Sequence, residues 1–269
     1  METIGFIGGG NMAEAIIKGI ISANVYSPDS IFVSDIRLQR LSFLAKRYHI
    51  QTADDNATLA GKVNILVLSV KPQDMTEALQ SIKDAVKPDT LVISIIAGKK
   101  TGDITAVLGD RPIVRVMPNT PALIGEGAAA LFANEKAKSM LEKAISIFSS
   151  VGQALVIERE DLMDVVTAVS GSGPAYYFLL TEEIIKAAAK LGLPEDTAKK
   201  LVLQTAKGAA LLAAEADKKG ESPAQLRQKV TSPGGTTEAA LKVLQDGKFA
   251  ALIEAAVKKA HDRSRELST

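Results

Sequence analysis

The chain has 269 residues, which suits one or two domains, and at 46% hydrophobic it can bury a sizeable core. A formal net charge of +1 gives no electrostatic footprint for nucleic acid or an anionic membrane, so neither is expected as a partner. With no Cys there are no disulfides, thiolate nucleophiles or Cys-ligated metals, and 4% aromatics without Trp disfavour a base- or sugar-stacking surface.

In chain order, Thr3–Gly8 reads as a strand and residues 11–23 as a helix. Ile31–Asp35 reads as a second strand, with a helix starting near Leu38. Asn64–Ser69, Leu91–Ile95 and Ile113–Val116 are short, continuously apolar runs, as expected of strands buried on both faces. Helices fill Gln73–Val86, Thr101–Leu108 and Lys136–Ser150, and Ala154–Ile157 reads as a last strand. Such alternation predicts a doubly wound, mainly parallel sheet. The pattern changes near Arg159. Ser172–Lys190, Pro194–Ala216, Pro223–Val230, Thr236–Leu244 and Phe249–Leu267 all read as helices, with Pro194 and Pro223 at first turns and Gly192 and Gly220 at ends. The predicted domains are therefore 1–159 and 160–269. Two of the helices are apolar on more than one face, through Tyr176–Leu180 and Ala209–Ala214. A tight intrachain bundle would account for that. So would a helical dimer interface, because all-round apolarity requires burial on all sides.

Gly8-Gly9-Gly10-Asn11-Met12-Ala13 follows a strand and opens a helix. Gly8 permits the turn, Gly10 leaves room for a pyrophosphate at the helix N-terminus, and Ala13 allows close packing. Asp35, at the end of the second strand, sits where an acidic side chain accepts the ribose diol of NAD. Ser34 beside it, with Arg37 and Arg40 following, could instead hold a 2′-phosphate, and Asn56 could reach the same region. Asp35 could also be no more than a helix cap. Ser69-Val70-Lys71-Pro72, Ala97-Gly98 and Met117-Pro118-Asn119-Thr120-Pro121 stand at further strand ends, where ligands of open α/β sheets gather. Ser170-Gly171-Ser172-Gly173-Pro174-Ala175 reads as a helix start with serine caps.

Thr231-Ser232-Pro233-Gly234-Gly235-Thr236-Thr237 breaks the helical half with backbone N–H groups and hydroxyls suited to a small anion. His49 and His261 lie outside these motifs and read as surface residues, so no His-based acid, base or metal set is implied. The acidic residues show no metal-ligand spacing tied to the motifs. No apolar run of about 18 residues is free of charge, and the first strand starts directly after Met1, so a cytoplasmic protein without a signal peptide or membrane span is expected.

Phe6–Ala13, Ser69–Pro72, Arg115–Pro121, Ser170–Tyr176 and Thr231–Thr237, five blocks in order along nearly the whole chain, resemble pyrroline-5-carboxylate reductases, and Arg263–Leu267 is also similar. The resemblance implies an N-terminal Rossmann domain and an all-α C-terminal dimerisation domain. It implies a homo-oligomer, a dimer at least, with a decamer as the larger form. The reaction it implies is reduction of 1-pyrroline-5-carboxylate to L-proline by NADPH or NADH. Gly8, Gly9, Gly10, Asn11, Met12, Ser34, Asn56, Val70, Lys71, Ala97 and Asn119 would by that resemblance line the cofactor; Pro72, Asp35 and Arg37 join them on their own positions at strand ends. Ser232, Gly234, Gly235, Thr236 and Thr237 would hold the substrate, and Thr237 matches the threonine credited with hydrogen bonding the imine nitrogen. Lys229 is a departure, since family members often carry Asn or Asp there.

Two rival readings remain at this level. A β-hydroxyacid dehydrogenase would want a lysine base on the first long helix of the second half, where Lys186 lies. A non-catalytic dinucleotide sensor would keep the first half alone, without need of a second anion site.

Overall fold

The computed structural model describes residues 2–268, which divide into two compact units, one of residues 2–174 with 260–268 and one of residues 175–259. The first unit carries eight strands: β1 (Ile4–Ile7), β2 (Ile31–Ser34), β3 (Gln51–Thr52), β4 (Ile65–Leu68), β5 (Leu91–Ser94), β6 (Ile113–Met117), β7 (Gly127–Ala133) and β8 (Gly152–Val156). They form one sheet in the order β3-β2-β1-β4-β5-β6-β7-β8. All neighbours are parallel except β6 and β7. The chain runs outward from β1 in one direction and from β4 in the other, so the crevice beyond their C-terminal ends is the sheet's switch point.

β1, β4 and β5 are buried at every residue, because helices cover both faces. On one face lie α1 (Asn11–Ser22), α2 (Leu38–Tyr48) and α6 (Leu141–Ser149), packing Ile16, Leu44 and Phe148 against Phe6 and Val67. On the other lie α3 (Asn56–Lys62), α4 (Met75–Ile82) and α5 (Thr101–Leu108), packing Leu59, Leu79 and Ile104 against Leu66 and Leu68. The α/β class expected from the alternation is what forms.

Three elements differ from the sequence expectation. β7, Gly-Ala-Ala-Ala-Leu-Phe-Ala, lacks the β-branched residues that announce a strand and forms because β6 and β8 pair with it on either side. β3 is two residues long, too short to carry a period. α3 starts at Asn56 because Asp55 accepts Thr58 N–H at 2.7 Å, a local cap.

α7 (Met163–Val166) runs through a π-helical turn, Thr167–Gly171, toward α8 (Gly173–Lys190). Ser170 therefore lies inside a helical run and is not its N-cap, since the helix had already begun at Met163. The remaining helices are α9 (Glu195–Asp217), α10 (Pro223–Lys229), α11 (Thr236–Asp246) and α12 (Phe249–Leu267). Ser222 and Gln225 build a reciprocal capping box at α10, with Pro223 in its first turn. Within residues 175–259 only Ala198 and Ala216 are buried, whereas Tyr177, Phe178 and Leu212 are 72%, 66% and 58% exposed. No helix among the described residues is long and apolar enough to cross a membrane.

Candidate active site

The site is built at the C-terminal edge of the first unit's sheet. Gly8 leaves β1 with φ +95, and a Cβ there would stand 2.8 Å from the Ser69 carbonyl oxygen, so only glycine fits the turn. Gly8 N–H donates to Ser34 O at 2.8 Å, and Ser69 Oγ–H reaches back to the carbonyls of Ile7 and Gly8 at 3.0 and 2.7 Å. The turn is thus tied to β2 on one side and to the loop after β4 on the other.

Gly10 caps α1 without any side-chain acceptor, and a Cβ built on it would meet nothing within 4 Å. Open first-turn N–H groups above clear space make a cradle for an anion, which fits the pyrophosphate of a dinucleotide. Asn11 is exposed and Met12 half-buried at this N-terminus.

Asp35 does not offer a free carboxylate. Its oxygens accept from Gly9 N–H at 2.8 Å and from Arg37 through the backbone N–H at 2.9 Å, Nε at 2.9 Å and Nη2 at 3.0 Å. Burial would raise its pKa, but the hydrogen bonds from Arg37 and Gly9 outweigh that and hold the carboxyl below its ordinary value. The Arg37 side chain remains 60% exposed. Ser34 Oγ–H donates to Asn56 Oδ1 at 2.7 Å, and Asn56 Nδ2 donates to Ser81 at 3.1 Å, so these two positions stand together at the ends of β2 and α3.

Arg40, expected alongside Arg37 as a phosphate ligand, lies under the turn instead. Its Nε meets Gly9 O at 2.5 Å, and its Nη2 meets Gly10 O at 3.3 Å and Glu14 Oε2 at 2.5 Å. Glu14 also accepts from Tyr48 at 2.8 Å. Burial pushes the Glu14 carboxyl up, and the bonds from Arg40 and Tyr48 more than reverse that. No local spacing announces Glu14, because its partner lies on another helix.

Val70, Lys71 and Pro72 follow β4, with Pro72 opening a 3-10 turn. Ala97 follows β5 and is exposed. Asn119 follows β6; its Oδ1 accepts Ala128 N–H at 2.9 Å and its Nδ2 donates to Ser170 O at 3.2 Å. These positions, with Gly8–Met12, Ser34, Asp35, Arg37 and Asn56, are the ones expected from the sequence to line a cofactor, and they stand at or follow the C-terminal ends of β1, β2, β4, β5 and β6 or, for Asn56, open α3.

Ser232, Gly234, Gly235, Thr236 and Thr237 lie in the second unit, at the start of α11. Gly234 has φ +72. The glycine N–H groups are not bare: Gly234 N–H donates to Glu238 Oε2 at 2.7 Å and Gly235 N–H to Ser232 O at 3.0 Å. What stays open is the N-terminus of α11, which no side chain caps, and the Thr237 hydroxyl. Glu238, an acidic third helical residue after Gly235-Thr236-Thr237, is the local sequence signal for such a back-bond.

Lys229 is ion-paired with Glu221, and its side chain stays 66% exposed. Lys186 lies between Glu182 and Glu183, at 2.5 and 2.9 Å, which push its pKa upward, the opposite of what a lysine base needs. His49 is exposed in a left-handed cap of α2, and His261 Nδ1 lies 3.2 Å from Asp262. Among the described residues no three His, Asp or Glu side chains gather as metal ligands.

Comparison with known proteins adds to this geometry. A family model described as pyrroline-5-carboxylate reductase dimerisation matches residues 160–267, and one described as NADP oxidoreductase, coenzyme F420-dependent, matches residues 3–98. The pyrroline-5-carboxylate reductase of Pseudomonas aeruginosa is 45% identical over 98% of this chain and 96% of the relative. The solved enzyme of that name from Coxiella burnetii superposes with a TM-score of 0.93 at 43% identity, covering 100% and 99% of the two chains. The Plasmodium falciparum pyrroline carboxylate reductase, solved with NADP bound, gives 0.88 at 33% identity over 100% and 98%.

Proposed function

This chain belongs to the pyrroline-5-carboxylate reductase family, and on that premise we propose that it reduces 1-pyrroline-5-carboxylate to L-proline with NADPH, the last step of proline biosynthesis. The observation that carries the reading is full-length likeness to enzymes of that name, at 45% identity. The open cradle at Gly10 and the uncapped start of α11 supply what the two ligands require.

When bound, the dinucleotide supplies the hydride for the C=N carbon, already electrophilic in a protonated imine, so the chain's task is positioning and charge. The first-turn amides of α1 hold the pyrophosphate. Val70, Lys71, Pro72, Ala97 and Asn119 line the nicotinamide half. With the four bonds from Gly9 and Arg37 directed at it, Asp35 has no acceptor left for a ribose diol. Arg37 keeps outward N–H groups for a 2′-phosphate, which favours NADPH over NADH. The first-turn amides of Thr236 and Thr237, with the Ser232 hydroxyl, take the substrate carboxylate, and Gly234 and Gly235 keep side chains out of its way. The Thr237 hydroxyl orients the imine nitrogen. The helical unit pairs with a second copy, assembly beyond the dimer reaches a decamer, and the compartment is the cytoplasm.

The test is NADPH consumption with pyrroline-5-carboxylate, run beside a 3-hydroxy acid with NADP. Turnover of the hydroxy acid alone, or of neither, rejects the reading. Thr237→Ala is expected to lower kcat more than about tenfold, or ~1.4 kcal/mol of barrier, while NADPH affinity in a fluorescence titration stays at the wild-type value.

A further inference from the structure

The loop between β5 and α5, residues 95–100, carries Ala97 and is gripped from two directions by residues outside the sheet. At its far end Glu160 caps α5, accepting Thr101 N–H at 2.7 Å and Thr101 Oγ–H at 2.8 Å. A carboxylate at a helix N-terminus is favoured by the amide dipoles. Behind it the Arg115 guanidinium, 5% exposed, lies 3.3 Å from Glu160 Oε1 and ties the same carboxylate to β6. At its near end Gly98, with φ +74, lies under the last turn of α12, where a Cβ would stand 3.1 Å from the Leu267 carbonyl oxygen. That last turn is itself latched. Ser264 Oγ–H donates to Asp164 Oδ1 at 2.7 Å, with both residues buried, and Ser268 adds a longer bond to the same oxygen at 3.4 Å.

Nothing in the hydride-transfer chemistry calls for a buried Asp–Ser pair one hundred residues apart in sequence. Burying that carboxylate carries a desolvation cost, which an accurately placed hydroxyl offsets. What the pair achieves is to fix the end of α12 on Gly98. We propose that Glu160, Asp164 and Ser264 are positioning residues: together they clasp the Ala97–Thr101 loop so that Ala97 is set against the nicotinamide half of the cofactor. This rests on the cofactor reading given above. The clasp touches only one half of the dinucleotide's path, because the 2′-phosphate and pyrophosphate positions lie at β1 and β2, tied by their own bonds.

That asymmetry gives the experiment. Ser264→Ala, Glu160→Gln and a chain ending at Glu266 are titrated with NADPH and with 2′-phospho-ADP-ribose, which lacks the nicotinamide, and steady-state turnover is measured on each. Expected is a loss of NADPH affinity of about fivefold, the order of one hydrogen bond, with a fall in kcat, unchanged affinity for the fragment and unchanged KM for the imino acid. Ser264→Thr, which keeps the hydroxyl, restores NADPH affinity. Equal weakening of NADPH and fragment would mean a general structural role and overturn the proposal. Wild-type NADPH affinity and kcat in all three variants would overturn it too. The truncated chain, which leaves Ser264 and Asp164 in place, keeps the test decisive if Ser264→Ala fails to fold. A wild-type protein that binds neither NADPH nor the fragment would instead refute the cofactor reading itself.

Discussion

The sheet unit and the helical unit treat similar apolar material in opposite ways. In the first, Ile4, Phe6, Ile16, Val67 and Phe148 are withdrawn from solvent by the chain's own helices, down to zero exposure. In the second, Tyr177, Phe178, Leu179 and Leu212 stand at half or more of their full exposure, and only two alanines are buried. A patch of this kind on a folded unit marks surface meant for a partner. One unit therefore completes its core within a single chain, while the other, as proposed, completes it with a second copy.

The sharpest way to break that contrast is a pair of substitutions. Phe6→Ala should cost about 3–5 kcal/mol, as expected for a large side chain removed from a closed core. Phe178→Glu, at a position two-thirds exposed in the single chain, would cost within about 0.5 kcal/mol if that chain were the working form. With the face buried against a second copy it should convert the assembly to monomer or unfold it. Sedimentation and thermal unfolding of both variants decide the matter; a Phe178→Glu protein of unchanged mass and melting temperature removes the shared-core account.

A smaller effect concerns the sheet unit alone. If it sets cofactor choice without help from the helices, Arg37→Ala should raise the KM for NADPH about tenfold, the weight of one charge-assisted contact, and free Asp35 for a ribose diol. The ratio of kcat/KM for NADPH over NADH then falls. An unaltered ratio places the choice elsewhere.

The smallest expected effect is on pH dependence. The folded-state pKa of Asp35 is held below its ordinary value of 3.8 by Arg37 and Gly9 despite burial. Its contribution to stability is therefore present above 3.8 and disappears as pH falls through the lowered folded value. The melting temperature of wild type should fall more steeply in acid than that of Asp35→Asn. Parallel curves would show that the Gly9 turn draws nothing from this carboxylate.

The sequence by itself determined the strand–helix alternation, the Gly8–Ala13 turn and the helix break at Thr231–Thr237. Each is written in local chemistry: continuous apolar runs, glycines where φ must be positive, and Pro-Gly-Gly where a helix cannot continue. It also carried the five blocks from which the family was legible. Tertiary structure decided the rest. β7 is a strand because two neighbours pair with an alanine-rich segment that has little strand preference of its own. Asp35 receives the Gly9 N–H, and Arg40 turns under the glycines to Glu14, because groups from separate elements converge there. Ser264 meets Asp164 only once α12 returns to the sheet unit. Local propensity is a short-range property, whereas the partner that satisfies a buried polar group is fixed by whichever distant element the fold brings beside it.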